Sequence, residues 1–207
     1  MTIGNATDLR MPQLALPLTE SVTQACNALG PNHPHTLASR NNLANTYQEA
    51  GRLDEAITLH EQNLKNFEDL LGPNHPHTLI SRSNLANTYE EAGRLDEAIT
   101  LHEQNLKDRT RILGPDHPST LASRNHLANA YRNAGRLNEA IPLYEQTLND
   151  RVRILGPHHP DTLISRNNLA EAYRAAGRFE DADKLFETPS DSEQDGTEEN
   201  PDHTAGD

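Results

Sequence analysis

The chain has 207 residues, no Trp, a single Cys and a formal net charge of −13 at pH 7. That sign argues against a nucleic-acid binder, because neutralising phosphates needs a concentrated basic surface. Cys26 alone excludes an intrachain disulfide or a thiolate cage and points to a reducing, cytoplasmic setting. With aromatic residues so scarce, a stack of small similar units is expected in place of one large core.

Residues 1–15 hold one Arg and no continuous apolar run, so a disordered arm is expected there and not a secretory leader. Residues 16–29 align with one gap to 141–155 and read as an isolated second helix that caps the first full unit. From there the chain repeats itself. Gly30, Gly72, Gly114 and Gly156 recur every 42 residues before Pro, and Gly51, Gly93, Gly135 and Gly177 recur at the same period before Arg. Segments 30–71 and 72–113 differ at only 8 of 42 positions. Four units are therefore expected, at 30–71, 72–113, 114–155 and 156–188. No stretch of the chain is a run of 18 apolar residues, so no membrane span is expected.

Within the first unit Leu43, Tyr47 and Ala50, with Ala44 beside them, mark one buried stripe and predict a first helix over 36–50. Gly51 suits a left-handed cap after it. Leu53, Ala56, Ile57, His60, Leu64, Phe67 and Leu71 continue as a longer stripe and predict a second helix over 53–70. Gly-Pro then breaks the helix, and His33 to Leu37 show how the chain enters a first helix, with either Pro34 as a first helical residue or Thr36 as the cap. Pro142, inside the second helix of the third unit, removes one donor and predicts a mild kink. In the last unit Asp183 stands where earlier units have Ile57, Ile99 and Ile141, which predicts a short second helix with a polar end. Residues 189–207 are rich in Asp, Glu, Ser, Thr, Gly and Pro and have no aliphatic anchors, an acidic tail expected to be disordered.

The run Asn-Leu-Ala-x-x-Tyr-x-x-Ala-Gly-Arg-x-x-Glu-Ala-Ile over 42–57 resembles the tetratricopeptide repeat, and the 42-residue period resembles its kinesin-light-chain type. That resemblance implies an all-α, right-handed α-solenoid of stacked antiparallel helix pairs. It also implies a non-catalytic scaffold whose first helices line a concave groove for a protein or peptide. The groove positions it maps here are Asn41, Asn45 and Gln48, then Ser83, Asn87 and Glu90, then Asn125, Asn129 and Arg132, then Asn167, Glu171 and Arg174. Asparagine both donates and accepts, so a ladder of them can pair with an extended backbone of any sequence. The change from Gln48 and Glu90 to Arg132 and Arg174 predicts a more electropositive C-terminal half, suited to an acidic partner segment. The tail, at 191–199, is a candidate competitor for those two arginines.

The residues themselves offer little catalytic chemistry. His33, His75, His117 and His159 occur once per unit, too far apart along a stack to share one metal ion, and are expected to be helix-entry residues. His60 and His102 fall on an apolar stripe, where later units have Tyr144 and Phe186, and the zinc-protease pattern fails at Leu64 and Leu106. There is neither a phosphate-binding loop nor a nucleophile elbow. No enzyme activity and no cofactor are expected. Self-association through the ends of the stack is the rival to a groove function. The recurring Arg40, Arg82, Arg124 and Arg166 are equally compatible with ion pairs to neighbouring helices and with ligand contact.

Overall fold

Four times the chain writes His-Pro, and four times a helix begins on that proline. The computed structural model describes residues 11–187, in nine helices. They are α1 (Met11–Asn27), α2 (Pro34–Glu49), α3 (Leu53–Leu71), α4 (Pro76–Glu91), α5 (Leu95–Leu113), α6 (Pro118–Asn133), α7 (Leu137–Leu155), α8 (Pro160–Ala175) and α9 (Phe179–Lys184). Each helix packs on the next in chain order, so the array is an all-α solenoid of helix pairs. Residues 1–10 and the acidic tail lie outside the described residues. Helix α1 begins at Met11, earlier than expected, so 11–15 are helical and not part of an arm; Pro12 sits in its first turn, where a missing N–H costs little.

The first helices start two residues before the predicted 36, with Pro34 as the first helical residue, so of the two expected entries the Pro34 one holds and Thr36 is not the cap. The cap is His33, whose Nδ1 accepts from the N–H of His35 at 3.2 Å, and the other three units repeat this. Thr36 is buried instead, and its hydroxyl donates to the carbonyl of Cys26 at 2.6 Å. Each first helix ends on a Gly-Arg turn in which the Arg N–H reaches the Tyr carbonyl five residues back, 2.8 Å at Arg52, while the Gly N–H bonds the carbonyl three back. The same arginine lies over the ring of that tyrosine, 4.4 Å from its centre at Tyr47. The tyrosine hydroxyl in turn donates to a glutamate on the preceding second helix, Glu20, Glu61, Glu103 or Glu145. Burial and that carboxylate push Tyr89, Tyr131 and Tyr173 up to about 12. One motif thus closes the turn and ties each pair to the last.

The core is made of small contacts repeated along the stack. Ala44, Ala86, Ala128 and Ala170 are buried, letting helices approach closely, with Leu43, Leu85, Leu127 and Leu169 beside them; each such Leu contributes about 1.5–3 kcal/mol. Leu71, predicted to be buried, is exposed together with Leu113 and Leu155, since these sit at the last helical position beside the open Gly-Pro turn. Helix α7 runs unbroken through Pro142.

The Gly-Pro turns carry the most restrictive backbone. Gly72 has φ 85° and ψ 164°, the ψ that a following proline demands combined with a φ that only glycine adopts readily. Nothing lies within 4 Å of a Cβ built there, so any cost is conformational. Gly72→Ala is expected to lower stability by about 3 kcal/mol, against about 1 kcal/mol for Gly93→Ala at the left-handed cap. Denaturant midpoints for the two variants check the ranking, and equal losses would contradict it.

Candidate groove along the first helices

The first helices α2, α4, α6 and α8 present one shared face, and the structure divides the predicted residues on it into two sets. Asn45, Gln48, Asn87, Glu90, Asn129 and Arg132 come together along two adjoining depressions of roughly 370 and 490 Å³. The others do not share those depressions. Asn41 accepts from Asn84 at 2.9 Å and Asn125 accepts from Asn168 at 3.1 Å, so both form rungs between neighbouring first helices. Ser83 turns into the helix seam, where its hydroxyl oxygen accepts from Asn105 at 2.8 Å. Asn167, Glu171 and Arg174 are exposed on α8.

The rung is absent at the middle seam because His126 and Ser83 take the two asparagine positions there. His126 lies edge-on to His102, 5.8 Å between ring centres, and Glu90 joins them with one oxygen 2.8 Å from His102 Nε2 and the other accepting from Asn133 at 2.9 Å. Burial, then the neighbouring His102, hold His126 below the usual histidine range. Among the described residues no group of three His, Cys, Asp or Glu side chains is placed to hold a metal ion.

Both arginines of the expected electropositive half have an acid beside them. Arg132 is paired with Glu171 at 2.7 Å, and Arg174 lies 3.8 Å from Asp183, so neither arginine is a bare cation. The proposed tail segment lies outside the described residues. Two arginines set in the seams, Arg109 and Arg151, bond neutral oxygens instead of carboxylates. Each rises from a second helix into the seam between two first helices. Arg109 donates to Ser123 Oγ at 2.7 Å and more weakly to the carbonyl of Leu79, and Arg151 donates to Ser165 Oγ and the carbonyl of Asp161, both at 2.8 Å. Burial lowers both guanidinium pKa values without discharging them.

In the first seam the same position is Phe67, stacked on His77 at 5.8 Å. It floors a cleft of about 470 Å³ with Leu37, Leu70, Leu71 and Ile80. Asn84 belongs to both this cleft and the first polar depression, so apolar and polar parts are continuous. The groove positions mapped from the family pattern leave out Phe67, Arg109 and Arg151, although Phe67 and Arg109 form one of the eight differences between the first two units.

The recurring arginine of the first helices belongs to the framework. Arg82 is buried and donates to Asp108 at 2.9 Å and Glu68 at 3.3 Å, and Arg124 donates to Asp150 at 2.7 Å. The outer members find neutral acceptors, Arg40 on Asn27 and Arg166 on the Pro157 carbonyl.

Comparison with known proteins agrees with this geometry. The family model of the tetratricopeptide repeat matches residues 8–69, 36–108, 83–151 and 123–188. Among solved structures, the "Podosopora anserina putative kinesin light chain nearly identical TPR-like repeats" is 38% identical, with a TM-score of 0.75 over 84% of this chain and 83% of that one. A point-substituted form of that protein is 37% identical, with a TM-score of 0.76 over 84% and 82%. BtubC (BKLC) from P. vanneervenii shares the fold, at 21% identity and a TM-score of 0.73 over 96% and 82%. A comparison with curated proteins returned no match. Matched along nearly its whole described length and built from the same capped helix pairs, the chain belongs to the tetratricopeptide repeat family, of the kinesin-light-chain-like kind.

Proposed function

We propose that this chain is a non-catalytic interaction module that holds an extended segment of a partner protein along the face of its first helices. The observation that carries the reading is where the two most similar units have diverged. All eight differences fall at 38/80, 41/83 and 48/90 on the first helices, or in 66–70/108–112 at the end of the second helix, where 67/109 enters the seam and 69/111 stays exposed. The segments 49–65 and 91–107 are identical, including the exposed Asp54, Glu55, Thr58, Glu61, Gln62 and Lys65. The exposed face of the first turns of the second helix has therefore stayed the same while the first helices changed.

The seam residues give the partner a polarity. An apolar side chain suits the Phe67 cleft, and carboxylates suit the half-buried Arg109 and the buried Arg151, which have no carboxylate partner among the described residues. Asn45 and Asn87 serve the partner's backbone between those points.

The test is capture of a peptide library by the full chain and by Asn45→Ala/Asn87→Ala, neither side chain having a role in the framework bonds between helices. At about 0.5–1.5 kcal/mol per hydrogen bond, the double variant loses affinity about tenfold. Captured peptides are expected to carry acidic residues and to be lost from an Arg109→Ala variant. Capture of the same peptides at the same affinity by all variants would remove the face of the first helices as the site.

A further inference from the structure

Among the described residues the two ends of the array are open in complementary ways. Tyr47 donates to Glu20 as Tyr89 donates to Glu61 and Tyr131 to Glu103, so α1 lies on α2 in the register of a second helix. In that register Pro17 takes the place of Pro142, and Val22 takes the place of Asn63 and Asn105. Those asparagines are 1% exposed, pressed on the first helix of their own pair, where they donate to the carbonyls of Leu37 and Leu79 at 3.0 and 3.1 Å. Val22 has no such helix among the described residues and is 48% exposed, with Leu18 beside it also exposed. Residues 1–10 do not carry the Tyr-x-x-Ala-Gly-Arg turn that joins a first helix to a second elsewhere in the chain.

The opposite end lacks the matching half. Leu37, Leu79 and Leu121 are 3%, 4% and 2% exposed, while Leu163, their counterpart on α8, is 40% exposed. The cause is the early stop of α9 at Lys184, since the position that would cover Leu163 is Pro189. The segment 188–207 contains no Leu, Ile, Val, Met, Phe or Tyr, so it brings no large apolar side chain to the gap.

We propose that the chain associates head to tail with a second copy of itself, α1 of one copy completing the unfinished pair on α8 of another, with Val22 against Leu163. The occupant is a second copy because α1 already has the register, the proline and the apolar surface of the missing helix. Helix α9, at six residues, has little stability of its own. It yields the first turns of the slot to α1, and the solenoid then continues without a break from α8 into α1 and α2 of the next copy. The contact is heterologous, so each copy keeps one free head and one free tail, and the assembly grows with concentration.

Sedimentation or light scattering of the full chain across a roughly hundredfold dilution is expected to show a mass that climbs above one chain. Val22→Glu and Leu163→Glu each change an exposed residue at one end. Either variant alone is expected to stay at the mass of one chain. An equimolar mixture of the two is expected to reach the mass of two chains and stop there, because one intact tail meets one intact head and both remaining ends are blocked. That restoration also shows that both variants are folded. A wild-type mass of one chain throughout overturns the proposal, as does a mixture that stays monomeric. Association that Leu163→Glu leaves intact overturns it too, and indicates a head-to-head contact through α1. Neither position lies on the two depressions, so peptide capture is unchanged in both variants, and the groove reading stands or falls separately.

Discussion

Replacing Arg82 with Ala is expected to cost the array about 3–5 kcal/mol, since it removes a buried cation shared by two acids and leaves Asp108 with only the exposed Arg111 at 3.4 Å. Arg82 is 1% exposed and joins three helices: it sits on α4, donates to Asp108 on α5 and to Glu68 on α3. Removing it leaves Asp108 largely enclosed without this cation and opens a void the size of a guanidinium and its stem. Glu68 is better hydrated and contributes less. The chemistry predicts a graded series along the chain. Arg124→Ala, which leaves Asp150 with only the exposed Arg153 at 3.1 Å, follows Arg82→Ala closely, whereas Arg40→Ala breaks only an exposed bond to Asn27 and costs under about 1 kcal/mol.

Denaturant titration of the three variants checks that order. The repeats couple through their neighbours, so midpoints are compared within the series without assuming one two-state transition. Asp108→Asn in the Arg82→Ala background is expected to recover part of the loss, because a neutral amide is cheaper to leave buried than a carboxylate. A loss for Arg82→Ala no larger than that for Arg40→Ala would show that the ion pair is not what secures the seam.

That series also shows what a sequence can and cannot disclose about such an array. The period, the Gly-Pro and Gly-Arg punctuation and the stripes around Leu43 and Ile57 predict nine helices and their order, because these depend on local backbone preferences and on burial against the adjacent helix. The role of Arg40 and its counterparts is not legible in the sequence because four identical residues end in different surroundings: an arginine inside the stack meets carboxylates, and one at an end meets only neutral oxygens. Arg132 reads as a free cation because its partner, Glu171, is 39 residues away and becomes a neighbour only once the first helices are in register. His33 is hard to read as a cap because an imidazole acceptor is an uncommon substitute for a hydroxyl or carboxylate. Phe67, Arg109 and Arg151 sit on second helices, which line no groove by family analogy; Phe67 lines the apolar cleft, and the two arginines end on acceptors in the seams between first helices. The exchange of Phe67 for Arg109 is nevertheless visible as a break in chemical class between two nearly identical units.

Lowering the pH from about 6.5 to about 4 is expected to remove about 3 kcal/mol of stability through His60 alone. The ring is fully buried and neither nitrogen has a hydrogen-bond partner among the described residues, and burial depresses its pKa to about 4. With the folded pKa below the unfolded value, the unfolded chain binds the proton first. The contribution is therefore intact above about pH 6.5 and is lost as pH falls toward the folded value. The imidazole lacks a partner because of another difference between the two units: His102 meets Glu90, but the matching residue for His60 is Gln48, whose amide is engaged with Glu91 and Thr88. The third unit carries Tyr144 at this position, fully buried, with its hydroxyl on Asn129 at 2.5 Å. His60→Tyr places the same ring beside Asn45, the counterpart of Asn129, and is expected to stabilise the array at neutral pH by about 1–3 kcal/mol as two stranded ring nitrogens disappear. Acid also weakens the carboxylate pairs, but it does so in both proteins, so the difference between wild type and variant isolates the histidine. That difference is expected to widen steadily between about pH 6.5 and 4; a gap that stays constant over this range would mean that His60 is not titrated by unfolding. Gln48→Glu supplies the missing carboxylate and is expected to move the His60 pKa upward, narrowing the acid-sensitive window from its lower end.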